Sequence, residues 1–312
     1  MRAYHSLAEV PEGFGPAAVT IGKFDGVHAG HRAVIAELIY VAARRGLTSV
    51  VITFDRHPLA QLDPALRPEA LIGNAQRLEL LEETGVDVTI FLPFDEALAS
   101  MTPREFVERV LAGVCRTEVV MVGEDFRFGA KGRGTIDTLR ELGGEFGFDV
   151  DLIPDVRPAE ERKVSSTWIR ELLAQGDVER ASELLGRAPT VRGLVVHGAK
   201  RGRELGYPTA NLSPESEGLI PADGVYAGWL TDAGRRYPAA ISVGNNPTFD
   251  GVPQKQVEAY VLDEDLDLYD HVVDVSFVAR IRGQVKFTGI DPLIAQMDDD
   301  VLTARRLLDD AR

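Results

Sequence analysis

Between residues 17 and 153, short apolar runs alternate with stretches whose apolar positions recur every three or four residues. The runs at 17–21, 49–54, 86–92, 118–122 and 149–153 have strand length and are rich in β-branched residues. Between them, Val34, Ile35, Leu38, Ile39 and Ala42 mark a helix that Gly46 ends, and further helices start near Asn74, Thr102 and Thr135. Thr102-Pro103-Arg104-Glu105 reads as a capping box with proline at the first helical position. This alternation predicts a doubly wound parallel sheet with helices on both faces. Two more helical patterns follow at 166–175 and 177–185, and the breaker-rich 186–190 marks a boundary. Beyond it, runs at 190–197, 224–231, 237–243, 256–262 and 271–281 are separated by turns too short for helical crossovers. They predict an antiparallel β-barrel closed by a C-terminal helix at 292–309, so the domains are expected at 1–186 and 187–312.

Composition narrows the partners. A net charge of −15 and a pI near 4.9 over 312 residues argue against a nucleic-acid partner, which would need clustered Lys and Arg. Small anionic ligands need only local cations and stay admissible. Cys115 is the one cysteine, so it has no intramolecular disulfide partner and reads as packing in a reducing compartment. No signal peptide or membrane span is legible, which leaves the cytoplasm as the expected location, small molecules as partners and any self-association weak.

The segment Gly22-Lys23-Phe24-Asp25-Gly26-Val27-His28-Ala29-Gly30-His31 joins the first apolar run to the first helix. Glycines allow close backbone approach, the helix start offers free N–H groups, and two imidazoles can share one polyanion. Packing or capping by the histidines is the alternative, and metal binding another, although the spacing is not His-Glu-x-x-His. No Gly-Lys-Ser or Gly-Lys-Thr occurs, so the kinase and GTPase phosphate loop is absent. The loop 123–129 follows the strand at 118–122 and either lines the same pocket or is an acidic turn with two core phenylalanines. At 163–170, Lys163 and Arg170 flank a helix start carrying Ser166 and Thr167; serine capping explains the hydroxyls but not the cations.

His-x-Gly-His resembles the nucleotidyltransferase signature, and with Thr53-Phe54-Asp55-Arg56-His57-Pro58 the N-terminal segments resemble the prokaryotic bifunctional riboflavin kinase/FAD synthetases over residues 17–185. The resemblance implies a nucleotidyltransferase domain in which His28 and His31 stabilise charge on the ATP phosphates while a substrate phosphate attacks the α-phosphorus. It places Gly22, Phe24, Asp25, Gly26, Gly30, Asp125, Lys163, Ser166, Thr167 and Arg170 around the nucleotide, with Arg170 counted among the catalytic groups. Phe54, His57, Pro58 and Phe126 are implied near the flavin. Lys23 stands where that family often carries asparagine or a small apolar residue.

The segment 193–212 holds a glycine-rich basic loop and Thr209-Ala210-Asn211. It reads either as a hairpin loop and turn or as a cationic flap with two neutral oxygen ligands for magnesium. Gly206-Tyr207-Pro208-Thr209-Ala210-Asn211-Leu212 resembles the riboflavin kinase signature, as do 242–249 and 257–263. The resemblance implies a kinase barrel with Glu258 as the base, Thr209 and Asn211 as metal ligands, and Gly198, Arg203, Gly206, Pro208 and Asn246 around the nucleotide. Without the resemblance, Glu258 on an alternating strand reads as solvent-facing. Asp270 and Gln284 replace the glycine and glutamate usual in that family. The implied function is ATP- and magnesium-dependent phosphorylation of riboflavin to FMN and adenylylation of FMN to FAD. A flavin-binding regulatory protein, or a chain with only one active module, is the alternative.

Overall fold

The apolar runs of the first half become strands of a parallel sheet, in a computed structural model that describes residues 1–58, 68–158, 162–197, 206–245, 255–264 and 266–310. The chain forms two compact units: Met1–Glu69 with Asn74–Ser165, and Ala70–Gly73 with Ser166–Arg312. In the first, strands β1 (Arg2–Tyr4), β2 (Ala17–Ile21), β3 (Thr48–Phe54), β4 (Val88–Leu92), β5 (Thr117–Gly123) and β6 (Asp149–Ile153) lie in the order β1-β4-β3-β2-β5-β6. Each neighbouring pair is parallel. Every residue of β2 and of β4 is buried, which is why these strands read as unbroken apolar runs.

From β2 the chain winds outward through β3 and β4 on one side, then returns to start β5 and β6 on the other. The order reverses between β2 and β5, so their carboxyl ends border the crevice where such sheets take ligands. Helix α1 (Ala29–Arg45) leaves β2 and stops at Gly46, whose φ of 68° is left-handed. Helix α2 (Asn74–Glu82) follows β3, and α3 (Glu96–Ser100) follows β4. In α4 (Pro103–Phe106) both bonds of the Thr102–Glu105 capping box form. The helix continues as a π-helical turn over Val107–Val114, burying Val107, Val110 and Leu111. Helix α5 (Ile136–Phe146) connects β5 to β6.

The second unit contains α6 (Ser166–Gln175), α7 (Val178–Leu185) and strands β7 (Thr190–Val196), β8 (Thr209–Leu212), β9 (Gly224–Asp232), β10 (Arg235–Asn245), β11 (Lys255–Val261) and β12 (Val272–Arg282). The strands close a barrel in the order β10-β11-β8-β7-β12-β9, every pairing antiparallel. Tyr226 and Phe277 meet edge to face at 5.4 Å, both fully buried. Helix α8 (Ile290–Asp310) packs Ala304 and Leu308 on Ala227, Trp229, Ala240 and Leu262. Strand β9 is therefore apolar on successive residues, 227 and 229 lying under the helix. Two strands escaped the sequence pattern: β1 is three residues long and β8 four.

Candidate active sites

The turn after β2 is held in a conformation the sequence cannot adopt freely. Phe24 and Val27 have φ of 48° and 39° and Gly26 of 84°; for the β-branched Val27 this is a strained value that surrounding contacts must enforce. The Lys23 carbonyl supplies part of that hold, accepting from the Thr53 hydroxyl at 3.1 Å and from Arg77 Nη1 at 2.8 Å. His28 is the N-cap of α1, its Nδ1 accepting the His31 backbone N–H at 3.3 Å. The capping role weighed from the sequence is thus real, and it leaves the ring stacked on His31 at 3.6 Å and 13°. A Cβ at Gly30 would sit 3.2 Å from His28 Cε1 and Nδ1, so glycine there makes room for an imidazole.

Burial first, then the charges of His28, Lys23, Lys163 and Arg77, holds the His31 imidazole well below the usual histidine value. Its Nδ1 is buried with no hydrogen-bond partner among the described residues, which leaves a neutral ring nitrogen for a ligand to meet. Phe24 also packs on His31, tilted at 56° with ring centroids 5.0 Å apart, and His28 is only 5% exposed. The site is a desolvated imidazole pair among cations, at the carboxyl end of β2.

The flanking loops contribute unequally. Lys163 Nζ lies 3.1 Å from Asp125 and 2.7 Å from Asp155, which draws the segment before α6 to the loop after β5. Asp125 is exposed, whereas Phe126 is partly buried and stacks on the core residue Phe128 at 5.6 Å. Both readings of that loop therefore hold in part: Phe128 is core, Asp125 is open. Phe54 packs edge to face on Phe94 at 5.4 Å, and His57 Nε2 lies 3.2 Å from Lys23 Nζ, with Pro58 partly exposed beside it. Ser166, Thr167 and Arg170 lie on the first turns of α6, at the start of the second unit. Gly22 is close-packed, a Cβ there meeting the Phe24 ring at 3.1 Å. Asp25 is 9% exposed, and its charge acts on Arg77.

In the barrel, β11 places Glu258 directly opposite Asn211 of β8, and Tyr260 opposite Thr209. Val257, Ala259 and Val261 are buried. Glu258 lies on the alternate face but is half-buried, contrary to the plain solvent-facing expectation. Burial pushes its pKa up, and a hydrogen bond from the Thr209 side chain pulls the other way. Asn211 Nδ2 donates to Thr209 O at 3.1 Å and Oγ1 at 3.2 Å, keeping the Asn211 amide oxygen as an acceptor. Gly206, with φ of 88°, and Pro208 are exposed just before β8, while the Tyr207 hydroxyl donates to Asp298 on α8. Gly198, Arg203 and Asn246 lie outside the described residues. Asp270 takes the left-handed φ of 63° where glycine was usual, and Gln284 donates to the Val243 carbonyl at 2.8 Å. No group of three or more His, Cys, Asp or Glu that could cage a metal occurs among the described residues.

Arg77 is the residue the sequence reading missed. It is 8% exposed on α2, stacks over Phe91 at 5.0 Å, and reaches both Asn74 Oδ1 and the Lys23 carbonyl. Nothing in an amphipathic helix pattern distinguishes such an arginine from a solvated one.

The geometry has close parallels. A family model described as FAD synthetase matches residues 11–168, and one described as riboflavin kinase matches 185–308. The bifunctional riboflavin kinase/FMN adenylyltransferase of Escherichia coli (strain K12) is 36% identical over 98% of this chain and 96% of its own length. The protein of that name from Bacillus subtilis (strain 168) is 33% identical over 95% and 94%. A solved structure described as a macrolide-efflux protein from Streptococcus pneumoniae superposes with a TM-score of 0.86 at 32% identity, covering 97% of this chain and 98% of that one. Among the described residues no helix is long and apolar enough to cross a membrane.

Proposed function

We propose that this chain, which belongs to the bifunctional riboflavin kinase/FMN adenylyltransferase family, makes FMN in its barrel and FAD in its parallel-sheet domain. The observation that carries this reading is the tandem match of the two family models, 11–168 then 185–308, which between them cover both side-chain constellations except Arg170. We assign adenylylation to residues 1–186 and phosphorylation to 187–312.

In the sheet domain, the FMN phosphate attacks the α-phosphorus of ATP and pyrophosphate leaves. His28 and His31 face the triphosphate, the neutral His31 ring donating a hydrogen bond where charge develops, in a site already stripped of water. Gly22, Phe24, Asp25, Gly26 and Gly30 shape the turn that holds the phosphates. Lys163, Asp125, Ser166, Thr167 and Arg170 contact ATP, with Phe54, His57, Pro58 and Phe126 on the flavin side.

In the barrel, Glu258 takes the proton from the ribityl hydroxyl as it attacks the γ-phosphorus. A half-buried carboxylate with a raised pKa is a stronger base than a solvated one, and positioning supplies much of the rest. The oxygens of Thr209, Asn211 and Glu258, gathered on β8 and β11, are the hard donors that magnesium prefers, and the first two would hold it. Bound magnesium would neutralise phosphate charge there. A flavin-binding protein without catalysis is the rival reading.

The free Cys115 is buried, and burial pushes its thiol up to about 12, so it stays protonated and unreactive. That, with the use of ATP, supports a cytoplasmic enzyme with small-molecule partners, and the net charge of −15 argues against nucleic acid. The test incubates the full chain with riboflavin, ATP and magnesium, and separately with FMN in place of riboflavin. FMN followed by FAD in the first reaction, and FAD with pyrophosphate in the second, are expected. Flavin retained without either product overturns the enzyme reading, and one product alone restricts it to a single module.

A further inference from the structure

We propose that Arg77 is a positioning residue for adenylyl transfer: from α2 it pins the strained histidine turn and the loop after β3 in one fixed register. The proposal rests on the adenylyltransferase reading of the sheet domain and adds a residue which that reading does not contain.

The observation begins with cost. Arg77 is 8% exposed, and its Nε is buried with no hydrogen-bond partner among the described residues. Burying a guanidinium with an orphaned N–H destabilises a fold unless its remaining donors do something that water could not. Burial pulls its pKa below the ordinary arginine value and the charges of Asp25 and Asp55 pull it back, so it stays a cation.

Its donors converge on backbone-defining atoms. Nη1 donates to the Lys23 carbonyl at 2.8 Å, the carbonyl directly before Phe24, where the turn first enters positive φ. Nη2 donates to Asn74 Oδ1, and Asn74 Nδ2 donates to the Asp55 carbonyl at 2.9 Å. Asp55 in turn accepts the Phe94 N–H at 2.8 Å. Arg77 and Asn74 together thus link the turn that carries His28 and His31 to the loop that carries His57 and Pro58. These are the phosphate and flavin sides of the proposed site. A planar fork with diverging N–H groups can hold the Lys23 carbonyl and the Asn74 amide at fixed separation, which the single ammonium of lysine cannot. The Phe91 ring at 5.0 Å fixes the plane of the fork.

Arg77 also acts on the ring it positions. Around His31 stand His28 and Lys23 from the turn, Lys163 from the segment before α6, and Arg77 from α2, while Asp25 and Asp55 temper Arg77. Removing the Arg77 charge, the last in size of these contributions, raises the His31 pKa in the folded site. Loosened packing would resolvate the ring and raise its pKa as well, so the variant that separates a positioning role from bulk support is Arg77→Lys, which keeps the cation and loses the fork: kcat falls while the His31 limb moves less than in Arg77→Met.

The test uses the full chain with Arg77→Met and Arg77→Lys, measuring FAD formation from FMN and ATP between pH 4.5 and 8 and FMN formation from riboflavin in the same samples. Arg77→Met is expected to lower kcat for adenylylation about 10²-fold, the scale of a 1 Å misplacement, with riboflavin phosphorylation unchanged. The transition reporting His31 moves to higher pH in Arg77→Met, and less in Arg77→Lys, which keeps the charge but loses the fork. A kcat for adenylylation within twofold of the parent, or a pH transition that stays in place, overturns the proposal. Should Arg77→Met not fold, Asn74→Ala, which cuts both the Arg77 Nη2 bond and the link to Asp55 but leaves the Arg77 bond to the Lys23 carbonyl, is expected to slow adenylylation about tenfold, equivalent to about 1.4 kcal/mol; an unchanged rate overturns the proposal. If the parent chain makes FMN but no FAD, it is the adenylyltransferase reading that fails, and the Arg77 proposal falls with it.

Discussion

The two sites use desolvation in opposite directions. In the parallel-sheet domain, burial and surrounding cations strip the proton from His31, and the turn that carries it is strained at Phe24 and Val27. In the barrel, burial pushes a proton toward Glu258, and the strand that carries it is regular β-structure paired on both sides. One physical term lowers the pKa of a base whose charged form is cationic and raises that of an acid whose charged form is anionic. The backbone difference follows from the ligand groups each site must meet. Imidazoles that share one polyanion must sit side by side, which takes a turn at a helix start. A carboxylate that meets a single hydroxyl needs only one position on a rigid strand.

Removing Glu258, the base proposed for the barrel, should produce the largest asymmetry. Glu258→Ala is expected to slow riboflavin phosphorylation by about 10²–10⁴-fold while FAD formation from added FMN continues at the parental rate. Loss of both activities in a folded variant would erase the contrast between the sites. The pH profile sharpens it. Glu258 works as the ionised form and its pKa is raised, so the kinase rate declines on acidification at a higher pH than a solvated glutamate would give. Thr209→Val removes both a proposed magnesium ligand and the hydrogen bond that lowers this pKa, so phosphorylation slows and its remaining acid limb shifts further upward.

Next in size is the histidine pair. His31→Ala is expected to cost adenylylation about 10²–10³-fold, the scale for losing one donor to a developing charge, with phosphorylation intact. His31 is held below its usual value, so the acid limb of adenylylation lies below that of an ordinary imidazole. The two profiles thus depart from their reference values toward each other. Steady-state rates for each reaction across pH 4.5–8 read both limbs, and a His31 limb at or above 6.5 contradicts the desolvated pair.

These contrasts were only partly legible in the sequence. Buried parallel strands announce themselves as apolar runs, and β2 to β5 were readable for that reason, while the edge strand β6 is buried only at Ile153 and showed through its β-branched and apolar residues. The three-residue β1 is too short to show a period, and β8 coincides with Thr209-Ala210-Asn211-Leu212, where its alternation is hidden among motif residues. The helical period predicted α4 but not the π-helical turn at Val107–Val114, because a local i to i+5 ladder leaves no compositional mark. At the sites, residue types showed that chemistry was present without showing how it is arranged. The stack of His28 on His31, the half-burial of Glu258 and the inward turn of Arg77 all depend on neighbours distant in sequence.

The smallest expected effect tests whether that arrangement is tuned as finely as its packing implies. Gly30 lies in the first turn of α1, where alanine improves intrinsic helix propensity by up to about 1 kcal/mol. Its added Cβ, however, would stand 3.2 Å from His28 Cε1 and Nδ1, closer than ordinary contact, and the ring must give by a few tenths of an ångström. The imidazole can slide only by weakening its 3.6 Å stack on His31 or its cap to the His31 N–H. Gly30→Ala is therefore expected to leave stability within about 1 kcal/mol of the parent, a Tm change under about 4 °C. Adenylylation should fall about three- to tenfold, since a misplacement well under 1 Å costs correspondingly less than 10²-fold. Riboflavin phosphorylation should not change. Parental adenylylation in Gly30→Ala would mean that the pair tolerates a displaced ring, and the strained turn would then be needed for the fold rather than for the phosphates.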